Sequence, residues 1–434
     1  MSEWKKAAAK LVNITPAGKE LAVKLYTAYN RKKYKKYWNT CEVDPHMVVF
    51  ESFLGRQYAC SPKAMYEAMV RDEAYRDYKK IWMFEEPEKH QDVIKDENTI
   101  LVKYRSQEFY EYYARAKYWI TNYHLPSGVI KRPGQVYVQT WHGTPLKKIG
   151  CDVPCRSSVE EGRSGAIEKD GSRSVEKNRS SSLEAAKRRA YKEYETEGAL
   201  IDFVPSPSPF YTEKIKSAFR LGIQAKVLEM GYPRNDALFT VGNEKQEEIK
   251  KALGIPRDRK VILYAPTWRD NQHTAGTGYT YRLGIDFDKL QKNLEGEAMI
   301  LFRAHYLISS SFDFGKYQGF IRNVSDYDDI NDLYMAADML ITDYSSVFFD
   351  YACLKRPMLF YMYDYAEYKN QIRDFYFDIS ELPGPVIKEQ RDISEDIRSL
   401  FECFEYDEKY ERFNKKFNPI NAPCSSRMLR EIFG

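Results

Sequence analysis

Short apolar runs separated by polar, helical stretches recur along almost the whole chain, and this alternation restricts the fold more than any other feature. In the first half the runs are Met47–Phe53, Ile81–Phe84, Thr99–Tyr104, Tyr118–Thr121 and Val136–Thr140. Helical patterns such as Ser61–Arg76 and Ser106–Ala116 lie between them. Buried strands alternating with helices make a parallel sheet wound with helices on both faces. A second series follows: Phe203–Pro205, Lys226–Met230, Val261–Ala265, Met299–Arg303, Met339–Thr342 and Met358–Tyr361. Its helices are expected at Ser208–Phe219, Asn243–Leu253, Ile330–Ala337 and Ser346–Leu354. The expected architecture is therefore α/β, with two Rossmann-like doubly wound domains, residues 46–200 and 201–434, facing a cleft. Ligands are expected at the carboxyl ends of the strands.

Composition agrees with two sizeable cores, since 434 residues with 43% hydrophobic side chains exclude chain-wide disorder. Net charge is only +4, yet Met1–Tyr37 holds ten Lys and Arg against Glu3 and Glu20. The basic character is local and speaks about a partner for that stretch alone. Residues 1–45 are set apart as a basic N-terminal helical extension. In it Leu21, Leu25 and Ala28 or Tyr29 recur at helical spacing, beside Arg31, Lys32, Lys33, Lys35 and Lys36 interleaved with Tyr34, Tyr37 and Trp38. That pattern suits an anionic membrane surface, and equally a solvated helix packed on its own domain. No nucleic-acid module is recognisable, so no nucleic-acid partner is expected. No apolar run reaches the roughly 20 residues of a membrane span, and no signal peptide is visible, so the chain is expected in the cytosol or on a membrane surface. The seven scattered cysteines read as ordinary thiols of a reducing compartment. Residues 156–182, rich in Ser, Arg, Glu and Gly, are expected to be a mobile excursion.

Three strand ends carry candidate chemistry. Val136–Thr140 runs straight into Trp141, His142, Gly143, Thr144 and Pro145. An imidazole there can take a proton from an attacking hydroxyl, and it can equally be a structural hydrogen-bonder. Gly143 permits close approach of backbone or ligand. Met299–Phe302 leads into Arg303 and His305, one alternation apart and so on one side of the strand end. Such a pair can hold a diphosphate, although an internal ion pair for Arg303 explains it as well. Met339–Thr342 leads into Asp343, Tyr344, Ser345 and Ser346 and then an apolar-faced helix. Free N–H groups at that helix start form an anion cradle, unless Ser345 or Ser346 merely caps it. Asp343 and Asp350 add carboxylates that orient a base, bind ribose hydroxyls or pair with nearby Arg. Arg234 and Arg269 stand close to Asp236 and Asp270 at the rim of the same cleft, as ligands or as loop clasps. No carboxylate cluster has metal spacing, so no cofactor is expected to be required, and a divalent cation stays an open option. Walker A, GxGxxG, HExxH and nucleophile-elbow patterns are absent, which weighs against kinase, nicotinamide and simple hydrolase readings.

Taken in order, F-E-S-F at Phe50–Phe53, Q-T-W-H-G-T-P-L-K-K-I-G from Gln139, G-Y-P-R-N-D from Gly231, Y-A-P-T-W-R from Tyr264, R-A-H at Arg303, T-D-Y-S-S-V-F-F-D-Y-A from Thr342 and R-P-M-L-F-Y from Arg356 resemble the CDP-glycerol glycerophosphotransferase family. The resemblance covers nearly everything from Met47 onward. It implies a GT-B-like fold whose C-terminal domain binds most of a CDP-glycerol or CDP-ribitol donor. It also implies a lipid-linked polyol-phosphate acceptor, with CMP and an extended phosphodiester as products. His142 resembles the family's base, Arg303 and His305 the pair at the donor diphosphate, and Ser345 and Ser346 the phosphate-cradling serines. Asp343 falls in the same motif. Tyr306 departs from the family pattern, where Pro follows the second histidine more often. The rival expectations are a nucleotide-sugar glycosyltransferase on the same architecture and a non-catalytic scaffold binding anionic polymer at a membrane surface.

Overall fold

The structure is a computed structural model that describes residues 16–153, 187–267, 273–274, 278–279, 284–304, 312–371 and 375–434. The expected excursion at 156–182, and with it Cys155, lies outside the described residues, as do His305, Tyr306 and Arg269.

Seven parallel strands build the first sheet: β1 (Asp44–Glu51), β2 (Lys79–Phe84), β3 (Thr99–Lys103), β4 (Ala116–Thr121), β5 (Val136–Gln139), β6 (Phe203–Pro205) and β7 (Lys226–Leu228). Their order is β3-β2-β1-β4-β5-β6-β7. The strands are apolar on both faces because both faces are covered. Met47 and Val49 of β1 join a core with Phe109 and Tyr113 of the helix Gln107–Arg115, whereas Val48 and Phe50 join Met65 and Met69 of the helix Cys60–Arg71. The second domain repeats the design with β8 (Lys260–Ala265), β11 (Ala298–Phe302), β12 (Ile321–Asn323), β13 (Met339–Thr342), β14 (Met358–Tyr361) and β15 (Val386–Ile387). They lie in the order β12-β11-β8-β13-β14-β15, all parallel. Val261 and Leu263 of β8 face one core, and Ile262 and Tyr264 the other. A short antiparallel ladder, β9 (His273–Thr274) with β10 (Gly278–Tyr279), stands apart from both sheets. The fold is the expected GT-B-like pair of doubly wound domains.

The boundary at residue 200 is corrected. Phe203–Pro205 and Lys226–Leu228, assigned by sequence to the second series, extend the first sheet, with β6 pairing β5 and β7 pairing β6. Apolar periodicity marks a strand but does not say which sheet it joins. The last helix, Ser425–Phe433, also returns to the first domain, where Met428, Leu429 and Ile432 pack with Met65 and Met69. The Phe433 ring lies 4.1 Å from that of Tyr118. The first domain therefore holds the chain through Leu228 and takes back its C-terminus. The helix expected over Ser61–Arg76 breaks at Asp72, which leaves helical dihedrals and caps a 3-10 turn over Glu73–Tyr75.

The described part of the N-terminal extension holds one helix, Pro16–Thr40. Its second half is docked: Tyr34 is fully buried and donates to the Ile130 carbonyl at 2.9 Å, and Asn30 accepts from Tyr110 at 2.9 Å. Its first half leaves Leu21, Leu25 and Tyr29 exposed at 56%, 47% and 53% on one stripe. Among the described residues no helix is long and apolar enough to cross a membrane.

Candidate active site

In each sheet the winding reverses once, between β1 and β4 and between β8 and β13. Ligands of doubly wound sheets bind beyond the strand ends at such reversals. Here the two reversals face each other. Residues just past β1 (Phe53), β5 (His142), β11 (Arg303) and β13 (Ser346) line a single cavity of about 170 Å³, together with Gln57, Cys60, Arg234, Asp328, Asn331 and Asp350. A second hollow of about 410 Å³ meets it at His142 and Ser346 and runs along Gly143, Thr144, Lys147, Pro266, Thr267 and Ser345.

His142 is delivered by a strained turn. Trp141 takes a left-handed φ of 51°, and Gly143 follows at 153°. A side chain at Gly143 would meet the Ser346 hydroxyl at 3.0 Å, so glycine is what lets the two domains close here. Tyr232 pins the turn, accepting from the Gly143 N–H at 2.9 Å and donating to the Thr140 carbonyl at 3.1 Å. Nδ1 of His142 lies 2.9 Å from the Asn122 carbonyl. A carbonyl can only accept, so Nδ1 carries the proton and Nε2 is left with its lone pair. Burial pushes the imidazole down to about 4, against the pull of that carbonyl, and the Arg234 charge pushes the same way. At neutral pH His142 is therefore a neutral imidazole of fixed tautomer with a free acceptor, the form a general base needs.

Arg234 is not clasped to its neighbour Asp236. Its guanidinium donates to the His142 carbonyl and pairs with Asp350 at 3.0 Å, both side chains buried, so it ties the His142 turn of the first domain to the helix Val347–Tyr351 of the second. Asp236 instead accepts from the Cys424 and Ser425 N–H groups at 2.8 and 2.9 Å, holding the start of the C-terminal helix. A further interdomain pair, Lys63 with Asp329 at 2.6 Å, flanks the cavity.

Arg303 is anchored by the carbonyls of Val324 and Tyr327 at 3.1 and 2.6 Å rather than by a carboxylate. The carboxylates of Asp328 and Asp329 act on its charge from the same cavity wall without being its anchors. Ser346 precedes the short helix but makes no side-chain capping bond, which removes the simple capping explanation and leaves its hydroxyl facing the cavity. Asp343 is buried and accepts from the backbone N–H groups of Thr267 at 2.9 Å and Tyr344 at 2.5 Å. It joins the loops after β8 and β13 and lines neither hollow. Asp350 lines the cavity as the partner of Arg234.

Asn122, Tyr232, Cys60, Gln57 and Asp328 were not singled out from sequence. Of these only Cys60 carries a signal, and it is conformational: like Phe53, Leu54 and Trp141 beside it, it takes a left-handed φ without being glycine, and such residues gather at functional sites. Among the described residues no group of three or more His, Cys, Asp or Glu is arranged to hold a metal ion.

A family model for CDP-glycerol:poly(glycerophosphate) glycerophosphotransferase matches residues 33–434. The teichoic acid poly(glycerol phosphate) polymerase of Staphylococcus epidermidis is 36% identical over 394 residues, which are 90% of this chain and 50% of that protein. The chain thus spans about half the length of that relative. The polymerase of the same name from Bacillus spizizenii is 36% identical over 391 residues, covering 89% of this chain and 92% of its own. A solved structure of a variant of the wall teichoic acid polymerase TagF, soaked with CDPG, superposes with a TM-score of 0.78 at 33% identity, covering 96% of this chain and 97% of that one.

Proposed function

The chain belongs to the CDP-glycerol:poly(glycerophosphate) glycerophosphotransferase family, and from that premise we propose that it transfers glycerol phosphate, or ribitol phosphate, from a CDP-alditol to a hydroxyl of a lipid-linked teichoic acid or capsule-type polymer, releasing CMP. The observation that carries this reading is the meeting of His142 and Ser346, from opposite domains, on one cavity that also holds Arg303. The relatives' names favour glycerol, and the soak of CDPG into TagF favours a CDP-alditol donor.

In the proposed step Nε2 of His142 takes the proton of the acceptor hydroxyl as its oxygen bonds to the phosphorus that carries the alditol. The bond from that phosphorus to the bridging oxygen breaks, the oxygen leaves on CMP, and the alditol phosphate becomes a phosphodiester. Phosphoryl transfer asks mainly for positioning and for stabilisation of charge on the transferring oxygens. Arg303, Ser345 and Ser346 supply donors for those oxygens, and His305 is assigned to the leaving oxygen. Arg234 and Asp350 hold the base turn against the donor side, and Gly143 and Thr144 form the floor toward the acceptor. The exposed Leu21, Leu25 and Tyr29 beside Arg31, Lys32 and Lys35 suit an anionic membrane, so the enzyme is assigned to the inner face of the cell membrane as a peripheral protein.

Incubation with CDP-glycerol or CDP-ribitol and a lipid-linked acceptor, followed by product mass and CMP measurement, tests the reading. One alditol phosphate added per CMP is expected; no product from either donor, or UDP release from a nucleotide sugar, overturns it. His142→Ala is expected to cut CMP release on the order of 10²–10⁴-fold with folding intact. Near-normal turnover in that variant removes the base assignment.

A further inference from the structure

His142 owes its geometry to a buried carboxylate that the reaction itself does not use. Glu197 lies near the end of the helix at 187–198 and is buried beneath the catalytic turn. Its Oε1 accepts from the Tyr137 hydroxyl at 2.6 Å, from Gln139 Nε2 at 3.1 Å and from the Leu125 N–H at 3.2 Å. Its Oε2 is paired with Nδ1 of His124. The same carboxylate therefore grips both segments that fix the base: the one after β4, which supplies the Asn122 carbonyl, and the one at the end of β5, which supplies His142.

The link to the base is short. With its Nε2 committed to Glu197 and to the Tyr123 carbonyl at 3.0 Å, the Gln139 amide must present Oε1 to the Trp141 N–H, which it does at 2.9 Å. Trp141 is the left-handed residue immediately before His142. A non-glycine residue stays in that region only where its surroundings over-determine it. Around Trp141 the over-determination comes from the Gln139 bond below and from packing on His142 at 4.1 Å, Phe219 at 4.9 Å and His124 at 5.8 Å between ring centres. Four donors converging on one buried carboxylate are more than a sheet edge requires, and each of them leads to the loop that carries His142 or Asn122.

We propose that Glu197 is a positioning residue for the transfer reaction, tying the ends of β4 and β5 together so that His142 keeps Nδ1–H on Asn122 and presents Nε2 to the cavity. The inference rests on the transfer reaction proposed above, and it makes Gln139 the relay and His124 the partner that fills the second carboxylate oxygen. Glu197 touches no substrate: it lines neither hollow.

The test is a mutant cycle with His142. Glu197→Ala leaves four buried donors without their acceptor and frees the turn. It is expected to lower kcat for CMP release on the order of 10²-fold, the scale of a misplacement of about 1 Å, with the KM for CDP-glycerol nearly unchanged. Glu197→Gln keeps an acceptor for Tyr137, Gln139 and Leu125 and is expected to recover most of the rate. In the His142→Ala background the same Glu197→Ala change is expected to cost nothing further, because residues acting as one unit are not additive. Gln139→Ala, which breaks only the relay, reads the same coupling should Glu197→Ala not fold. Full kcat in Glu197→Ala, or equal losses with and without His142, overturns the proposal. Nitrogen-15 spectra of histidine-labelled protein give a readout independent of turnover: the Nδ1–H tautomer of His142 is expected in the parent and a mixture of tautomers in Glu197→Ala. If the parent releases no CMP while the tautomer still depends on Glu197, the transfer reaction falls and the positioning role stands; an unaltered tautomer in Glu197→Ala removes the role.

Discussion

Lowering the pH of the assay puts the state of His142 to the most direct test. Burial brings this imidazole from 6.5 down to about 4, which at about 1.36 kcal/mol per pKa unit disfavours its protonation by about 3 kcal/mol. A base must be deprotonated to act, so its pKa sets the acid limb of kcat/KM in the free enzyme. At pH 5 a histidine titrating at 6.5 would be only about 3% neutral, whereas one titrating at about 4 is about nine-tenths neutral. CMP release at limiting CDP-glycerol is therefore expected to fall by no more than about a tenth between pH 7.5 and pH 5, and then tenfold per pH unit below about 4.

The donor's diphosphate, esterified at both ends, has no proton to lose in this range; its cytosine ring takes up a proton in mildly acidic solution, and the ultraviolet shift of free CDP-glycerol across the same pH series corrects for that. The assay is run at constant ionic strength, and enzyme held at pH 5 is returned to pH 7.5 to show that no activity was lost to unfolding. An acid limb centred near 6.5 refutes the reasoning, for it means that the catalytic base is either another group or an imidazole in contact with bulk water.

Other outcomes follow from the same packing. Glu51, fully buried with Tyr113 donating to it at 2.9 Å, is pushed by burial from 4.5 to about 8, the Tyr113 bond working against the shift. Its folded pKa lies above the unfolded one, so its contribution to stability is full below about 4.5 and is lost as pH rises through about 8, with about 3 kcal/mol gone by pH 7. Glu51→Gln is expected to unfold at higher urea than the parent at pH 7.5, with the advantage shrinking toward pH 4.5. Gly143→Ala places a methyl 3.0 Å from the Ser346 hydroxyl and is expected to reduce turnover at least tenfold, with an unchanged circular dichroism spectrum. Asp350→Asn strands the buried Arg234 charge and is expected to cost about 3–5 kcal/mol of stability in denaturant titrations, much of it recovered in Arg234→Gln/Asp350→Asn. Replacing Leu21, Leu25 and Tyr29 together by Ser is expected to abolish co-sedimentation with anionic vesicles while leaving CMP release on a water-soluble acceptor intact.

Sequence carried the architecture because both-face burial leaves a mark on every strand: Val48 and Val49, or Ile262 and Leu263, are apolar in succession since a core lies on each side. It did not carry sheet membership. Phe203–Pro205 has only three residues, and whether it pairs with β5 or opens a new sheet depends on partners more than sixty residues away. His142, Arg303 and Ser346 were legible as cavity residues because they follow the carboxyl ends of strands, where the cavity lies; Asp343, in the same kind of position, turns to backbone N–H groups instead. Asn122 acts through its backbone carbonyl, which every residue type has, and so left no trace. Arg234 was legible as a charge near the cleft, a ligand or a clasp to Asp236 two positions away; its carboxylate partner in the structure is Asp350, far along the chain. Proximity along the chain is a poor guide to ion pairing wherever two domains meet.

That last mismatch bears on how the base is made. The groups that hold the His142 turn are not local to it: Tyr232 and Arg234 come from the segment joining the domains, Asp350 and Ser346 from the second domain. The cavity wall around the imidazole likewise comes from both sides. A depressed pKa caused mainly by burial is then a property of the closed cleft, not of the loop alone. If the domains part, Asp350 leaves Arg234, more water reaches His142, and the imidazole rises toward its ordinary value. For the proposed reaction, the position of the base and the contact between the two domains are then coupled, because the same side chains serve both.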